Sequence, residues 1–425
     1  MVRILSGRMR LAAVVSAGML CTGLLAACGG GGGNEGSDSG PIKIGVFGGL
    51  NSPAGDSIVN GAKMAADEIN EAGGIQGRQV KLVVRDTQTD LQKSVAAYTR
   101  LGQADNVVAA VGIWSSGNTL AIMDHMARVK VPFLNTGSAS TGIADLVTKD
   151  YEKYKYWFRF MHTSAEIPLP IMSFVAEYLG PKFGVKRIAL FSENADWTVE
   201  VRKIMREYIK AHPPLQLVAD ETFDVQTKDF APVFQRLMKA KPDQIIDVSS
   251  HVDSAGYTKQ WAALKPAPMG GVAVSAAASN FFTSTGGATA GVWTQNYGFP
   301  TADITAKTAK YYEDYLKRFD IGSNYTGTYT YEAMYALRAA LERLPKGQIG
   351  DSDALVKSLE KTDYTGVLGR WAFEKNHNSK YDGYRDKSVL LVQWKADGTR
   401  DVIWPESVAT GEFQTPAWWK GWSAK

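Results

Sequence analysis

The chain has 425 residues, 45% hydrophobic and 21% charged, a balance that belongs to a folded globular protein and confines disorder to the Gly/Ser/Asp-rich stretch 29–40. Its formal charge of +4 falls to +1 without Arg3, Arg8 and Arg10, so the composition argues for neither nucleic acid nor a polybasic membrane surface as partner. The 2 cysteines, Cys21 and Cys28, both lie near the N-terminus, which excludes a fold held by disulfides.

The first predicted element is a secretory signal. Arg3, Arg8 and Arg10 form a basic region, and residues 11–27 form an apolar one, a little short of the ~20 residues a membrane-spanning helix requires. It ends in Leu25-Ala26-Ala27-Cys28, which resembles the lipobox of bacterial lipoproteins. That resemblance implies cleavage before Cys28, a lipid on its sulfur, and a mature protein held outside the cytoplasmic membrane by the flexible tether 28–40. The remaining chain is long enough for two or three domains at about 150 residues each.

Residues 42–47 form an apolar run closed by Gly48-Gly49, a buried first strand and its turn. Ile58, Ala62 and Ile69 recur at helical spacing over 58–71, and Gly73-Gly74 stops that helix. Strand, helix and strand readings follow at 79–85, 91–103, 107–111, 119–128 and 131–134. A second series runs 166–179, 187–191, 198–211, 215–219, 230–240, 244–248, 255–264 and 271–275. Apolar strands alternating with helices imply parallel sheets covered on both faces. The number of strands is too large for one sheet, so the expected class is α/β, with two doubly wound parallel-sheet lobes meeting near 159–164. After Trp293 the pattern changes to helices at 305–319, 329–343 and 352–361, then strand-like 369–373 and 388–394. Such a chain is expected to return to its first lobe, giving a multi-strand hinge. The expected boundaries are 1–27 for the signal, 28–40 for the tether, 41–162 plus 299–390 for lobe 1, and 163–298 plus 391–425 for lobe 2. The aromatic tail Pro416-Ala417-Trp418-Trp419-Lys420-Gly421-Trp422 is expected to pack across the second lobe.

Catalytic signatures are missing. There is no phosphate-binding glycine loop, zinc-protease helix or nucleophile elbow, and His125, His162, His212, His251 and His377 have no metal-ligand spacing. Neither an enzyme, a cofactor nor a metal site is therefore expected. The informative residues lie at strand ends, where open parallel sheets bind ligands. The third strand runs into Trp114-Ser115-Ser116-Gly117-Asn118 at the start of a helix, and the fourth into Asn135-Thr136-Gly137-Ser138-Ala139-Ser140. Hydroxyls and free N–H groups at such positions suit a carboxylate or another polar head.

The string Asn60-Gly61-Ala62-Lys63-Met64-Ala65-Ala66-Asp67-Glu68-Ile69-Asn70-Glu71-Ala72-Gly73-Gly74-Ile75-Gln76-Gly77, with residues 86–90 after it, resembles the branched-chain-amino-acid type of solute-binding protein that serves ABC transporters. The resemblance implies the type I periplasmic binding protein fold and a receptor that closes two lobes over a small polar or amphipathic ligand. Its partners would be a membrane permease and ATPase subunits, and its place the bacterial cell envelope. Carried over by position, the ligand-binding residues are Ser115 or Ser116 with Trp114, then Gly137, Ser138 and Ala139, and on the second lobe Trp197 and His251. Amino-acid binders of this type place an acid beyond the strand 271–275 to meet the ligand's ammonium, but here the chain reads Ser275-Ala276-Ala277-Ala278-Ser279-Asn280. Either Asp253 or Asp196 substitutes, or the ligand has no ammonium, as with amides, urea or aromatic acids. A ligand sensor of the same fold, coupled to a separate signalling partner, is the alternative function.

Overall fold

The computed structural model describes residues 40–50, 52–380 and 389–422; the signal, Cys28 and the tether up to residue 39 lie outside them. Five short strands, β1 (Ile42–Gly48), β2 (Val80–Asp86), β3 (Ala109–Gly112), β4 (Phe133–Asn135) and β5 (Trp157–Arg159), pair in parallel in the order β2-β1-β3-β4-β5. β3, β4 and β5 are buried throughout, as apolar runs between two helical layers must be, while the partly solvated β2 takes the edge. The order reverses between β1 and β3, which opens a crevice at the carboxyl end of β3.

The second sheet repeats the principle with β6 (Arg187–Glu193), β7 (Gln216–Phe223), β8 (Gln244–Ser249), β9 (Met269–Ala273) and β10 (Trp293–Tyr297), parallel in the order β7-β6-β8-β9-β10. A two-strand hairpin, β11 (Tyr364–Thr365) with β12 (Arg370–Trp371), stands apart. β13 (Val389–Trp394) and β14 (Arg400–Trp404) then extend the second sheet antiparallel beyond β10. β10 escapes the sequence patterning because Thr294-Gln295-Asn296 reads as polar. Its Thr294 hydroxyl is absorbed by the sheet, donating to Ala273 O at 3.0 Å and accepting from Ala273 N at 3.1 Å.

The expected helix at 58–71 in fact begins at Pro53, because Ser52 caps it: the Ser52 hydroxyl accepts from Gly55 N at 3.1 Å, with proline at the first helical position. The helix expected over 166–179 is α-helical only at Pro168–Ser173 and widens to π turns at Phe174–Leu179. There Phe174 packs against Trp293, Phe413 and Trp404 at 5.2, 5.7 and 5.8 Å between ring centroids. The tail also packs against the second sheet, with Trp418 and Trp419 on the opposite face from Phe174. Trp418 meets Trp261 at 5.8 Å, and the Trp422 indole donates to Asp243 O at 3.0 Å.

Helices Thr308–Phe319 and Tyr325–Glu342 pack against Pro53–Glu71 beside the first sheet. Thr326 Oγ1 donates to Ala54 O at 2.7 Å, and the hydroxyls of Tyr331 and Tyr335 both donate to Glu68 Oε2, at 2.6 and 2.5 Å. The helices cross at two glycines. A Cβ on Gly61 would lie 2.2 Å from Gly327 O, and one on Gly327 would lie 2.3 Å from Ser57 Oγ. At Gly61 the contact is with backbone, which leaves no flexible atom to yield. Gly61→Val is expected to destabilise the fold by about 2–3 kcal/mol, read as a lower urea midpoint at unchanged slope; an unaltered midpoint would show that this crossing does not fix the layer.

Candidate ligand-binding cleft

The wall on the first lobe is made by two loops with the carbonyls of Gly112, Ile113, Ser115, Ser138 and Ser140 bonded from behind. After β3 the backbone takes positive φ at Gly112 (+128°) and again at Ile113 (+54°), an uncommon conformation for a β-branched residue. This turn carries Trp114, Ser115 and the helix Ser116–Met123 to the crevice. After β4, the Asn135 side chain donates to Gly112 O (3.1 Å) and Ile113 O (2.9 Å), and the Ser138 hydroxyl bonds Ser115 O at 3.1 Å. The two loops are thus laced together from behind. Gly137 is required at their contact, since a Cβ there would sit 2.5 Å from Trp114 Cα.

With the carbonyls engaged, the donors are left over. Neither Gly137 N–H nor Ala139 N–H finds an acceptor among the described residues, and Ser115 makes no capping bond although it heads the helix. The Ser116 hydroxyl accepts from Ser140 N at 3.2 Å. Backbone N–H groups of this kind, beside an uncapped helix start, attract an anion or a carboxylate.

The wall on the second lobe is organised by Glu193, which the sequence reading passed over by ending that strand at residue 191. β6 continues to Glu193, whose side chain is fully buried. Four donors converge on its carboxylate: Trp197 Nε1 (2.9 Å) and His251 Nδ1 (2.6 Å) on Oε1, with Ser250 N (2.9 Å) and His251 N (2.8 Å) on Oε2. Burial pushes the carboxyl up, but the hydrogen bond and charge of His251 and the two backbone N–H groups outweigh it and hold the group below the usual carboxylate range. The acids offered as substitutes for the missing counter-charge do other work. Asp253 caps the helix Ser254–Leu264 through Gly256 N at 3.0 Å, and Asp196 is exposed at the mouth of the cleft.

Between the walls lies a small cavity of about 30 Å³. Of the residues expected to bind ligand, Trp114, Ser116, Gly137, Ala139, Trp197 and His251 all border it. Ser115 instead lines the open mouth outside, and Ser138 stands behind the wall with its hydroxyl taken up by the loop lacing. The rest of the lining was not foreseen: Tyr297 at the end of β10, Tyr325 in the first turn of its helix, Ser250 after β8, Val272 and Val274 around the end of β9, and Met161 and Ile167 where the chain leaves the first sheet. An unseen strand end and an aromatic at a helix start were the signals available for the two tyrosines. The walls touch, with the Trp114 and His251 rings 4.7 Å apart at 33°. The cleft is therefore asymmetric, with N–H groups and hydroxyls on one side and aromatic rings around a neutralised acid on the other.

Glu193→Gln turns an amide N–H₂ toward donors that need an acceptor and is expected to cost about 3 kcal/mol at neutral pH. A carboxyl depressed in the folded state contributes its stability above the unfolded value of 4.5 and loses it as pH falls through the lower folded value. Urea titrations of wild type and variant should therefore differ by a constant amount above about pH 5.5 and converge in more acid solution; a gap that widens with acid contradicts this account.

Residues 41–399 match the family model described as "Periplasmic binding protein". A Leu/Ile/Val-binding protein homologue of Brucella abortus (strain 2308) is 24% identical over 392 residues, covering 89% of this chain and 95% of its own. The isoleucine complex of the branched-chain amino acid transporter substrate-binding protein from Streptococcus pneumoniae superposes with a TM-score of 0.73 at 21% identity, over 85% of this chain and 97% of that one. A solute-binding protein of an ABC transporter from R. palustris, in complex with benzoate, superposes at 0.70 with 17% identity, over 88% and 96%. The two-lobed α/β fold, the cleft between its sheets and the match along nearly the whole folded chain together place this protein in the periplasmic binding protein family.

Proposed function

We propose that this chain is the substrate-binding component of an ABC importer and that its ligand is a small carboxylate with a planar apolar body and no ammonium group, of the aromatic-acid class. One observation carries the ligand class: the acid on the second wall, Glu193, already has four donors of its own and leaves no counter-charge for an ammonium. An ammonium buried there would cost several kcal/mol. The free N–H groups of Gly137 and Ala139, with the hydroxyl of Ser115 or Ser116, suit the carboxylate, while Trp197, Trp114 and His251 suit a flat ring. Benzoate in the R. palustris neighbour is consistent with this, and isoleucine in the streptococcal one marks the competing choice. A ligand that touches both walls favours the closed arrangement over the open one, which is what a permease would read. Both of those neighbours are transporter components, so the sensor alternative is not favoured.

The family works outside the cytoplasm, and the lipid on Cys28 is the finer part of the same proposal. Metabolic labelling with an alkyne fatty acid should mark the wild-type chain and not Cys28→Ser, which should also leave the membrane fraction; a labelled variant rules out that cysteine.

The ligand reading is tested by thermal shift and calorimetry with benzoate, 4-hydroxybenzoate and L-leucine. An aromatic acid at a hundred times its Kd should stabilise the fold by about 2.7 kcal/mol. Trp197→Ala should weaken its binding by about 2 kcal/mol. Tighter binding of leucine than of either aromatic acid overturns the ligand class, and an unchanged affinity in Trp197→Ala overturns the clamp.

A further inference from the structure

Arg159 ends β5 and is wholly buried, yet it does not border the cavity. Its Nη1 donates to Ser138 O and its Nη2 to Ser140 O at 2.6 Å, so one guanidinium grips alternate carbonyls of the β4 loop from behind. A planar, charged fork holds both carbonyls from two separate nitrogens, whereas a neutral amide offers a single nitrogen and no charge. The guanidinium is itself held in place. Nε donates to Asn378 Oδ1 at 2.9 Å, its own backbone N donates to His377 O at 3.0 Å, and the Trp157 ring lies 4.9 Å away.

The consequence follows from the planarity of the peptide bond. In a trans peptide the C=O of one residue and the N–H of the next point in opposite directions. Fixing Ser138 O on Arg159 therefore fixes Ala139 N–H toward the opposite face of the loop, and Ala139 borders the cavity there. The same cation polarises that peptide along its dipole, which raises the attraction of the N–H for negative charge. We infer that Arg159 is a positioning residue that makes this cleft select carboxylates, acting through the Ser138–Ala139 peptide without touching the ligand. This rests on the carboxylate reading given above.

The test compares each carboxylate with its own neutral amide, because a merely structural defect weakens both alike. Binding of benzoate against benzamide, and of L-leucine against L-leucinamide, is measured on the wild type, Arg159→Gln and Arg159→Lys. For whichever pair the wild type binds, Arg159→Gln should lose about 30-fold for the carboxylate and less than about 3-fold for the amide, with Arg159→Lys between wild type and Arg159→Gln. Parallel losses, or no loss, overturn the proposal. If the leucine pair responds and the benzoate pair does not, the aromatic ligand class falls while Arg159 is still judged on leucine. Should the variants not fold, the wild type decides alone: the Ala139 amide proton in ¹⁵N-labelled protein should move downfield with the bound carboxylate. A stationary Ala139 signal, or a wild type with no preference for either carboxylate over its amide, overturns the inference.

Discussion

The second lobe's face of the cleft depends on one buried carboxylate finding enough donors. Glu193 sits at the carboxyl end of β6 with no exposed surface, where an ionised group is tolerated only when its lone pairs are filled. Two loops answer that demand, the β6 loop through Trp197 and the β8 loop through Ser250 and His251. Satisfying the acid therefore also sets the rotamers of the indole and the imidazole that form the wall. The chemistry inside the cavity is a by-product of electrostatic necessity outside it.

The first lobe reaches the opposite result by an analogous route. There the groups withdrawn from the cavity are carbonyls, held by Asn135, Ser138 and Arg159, and the groups left facing ligand are N–H donors. Free N–H groups on one wall and rings from both walls suit the ligand proposed above, which has both characters. A site of this kind discriminates most strongly against molecules that leave its donors unpaired. The Trp114 and His251 rings meet across the gap between the walls.

Much of the fold was legible because its strands are short apolar runs separated by helices of clear period, as at β1, β8 and the helix Ala231–Ala240. β10 was not, since a strand that buries threonine, glutamine and asparagine shows no apolar signature, and its Thr294 hydroxyl is satisfied by a neighbouring strand. Small residues after β3 and β4 marked the site's position on the chain. They could not say which way each side chain faces, and so Ser138 was grouped with its neighbours although its hydroxyl points back into the loop lacing. Glu193 was missed for a related reason: an acid two positions past an apolar run looks like the first residue of a loop. Only the convergence of donors from 58 residues further along the chain shows it to be the last residue of a strand.

The crossing of Gly61 with Gly327 has a consequence for how the molecule is made. The layer beside the first sheet is incomplete until Tyr325–Glu342 arrives, and the bond from Thr326 to Ala54 closes a loop of 272 residues. β1 through β5 and then the whole parallel part of the second sheet precede that helix in the chain. The N-terminal portion therefore waits, with apolar surface uncovered, and its final consolidation is slow because contacts so distant in sequence carry a large closure entropy. Neither half is an excisable module. A cut between β5 and β6 removes the helix that seals the first sheet, so the receptor folds as one indivisible piece.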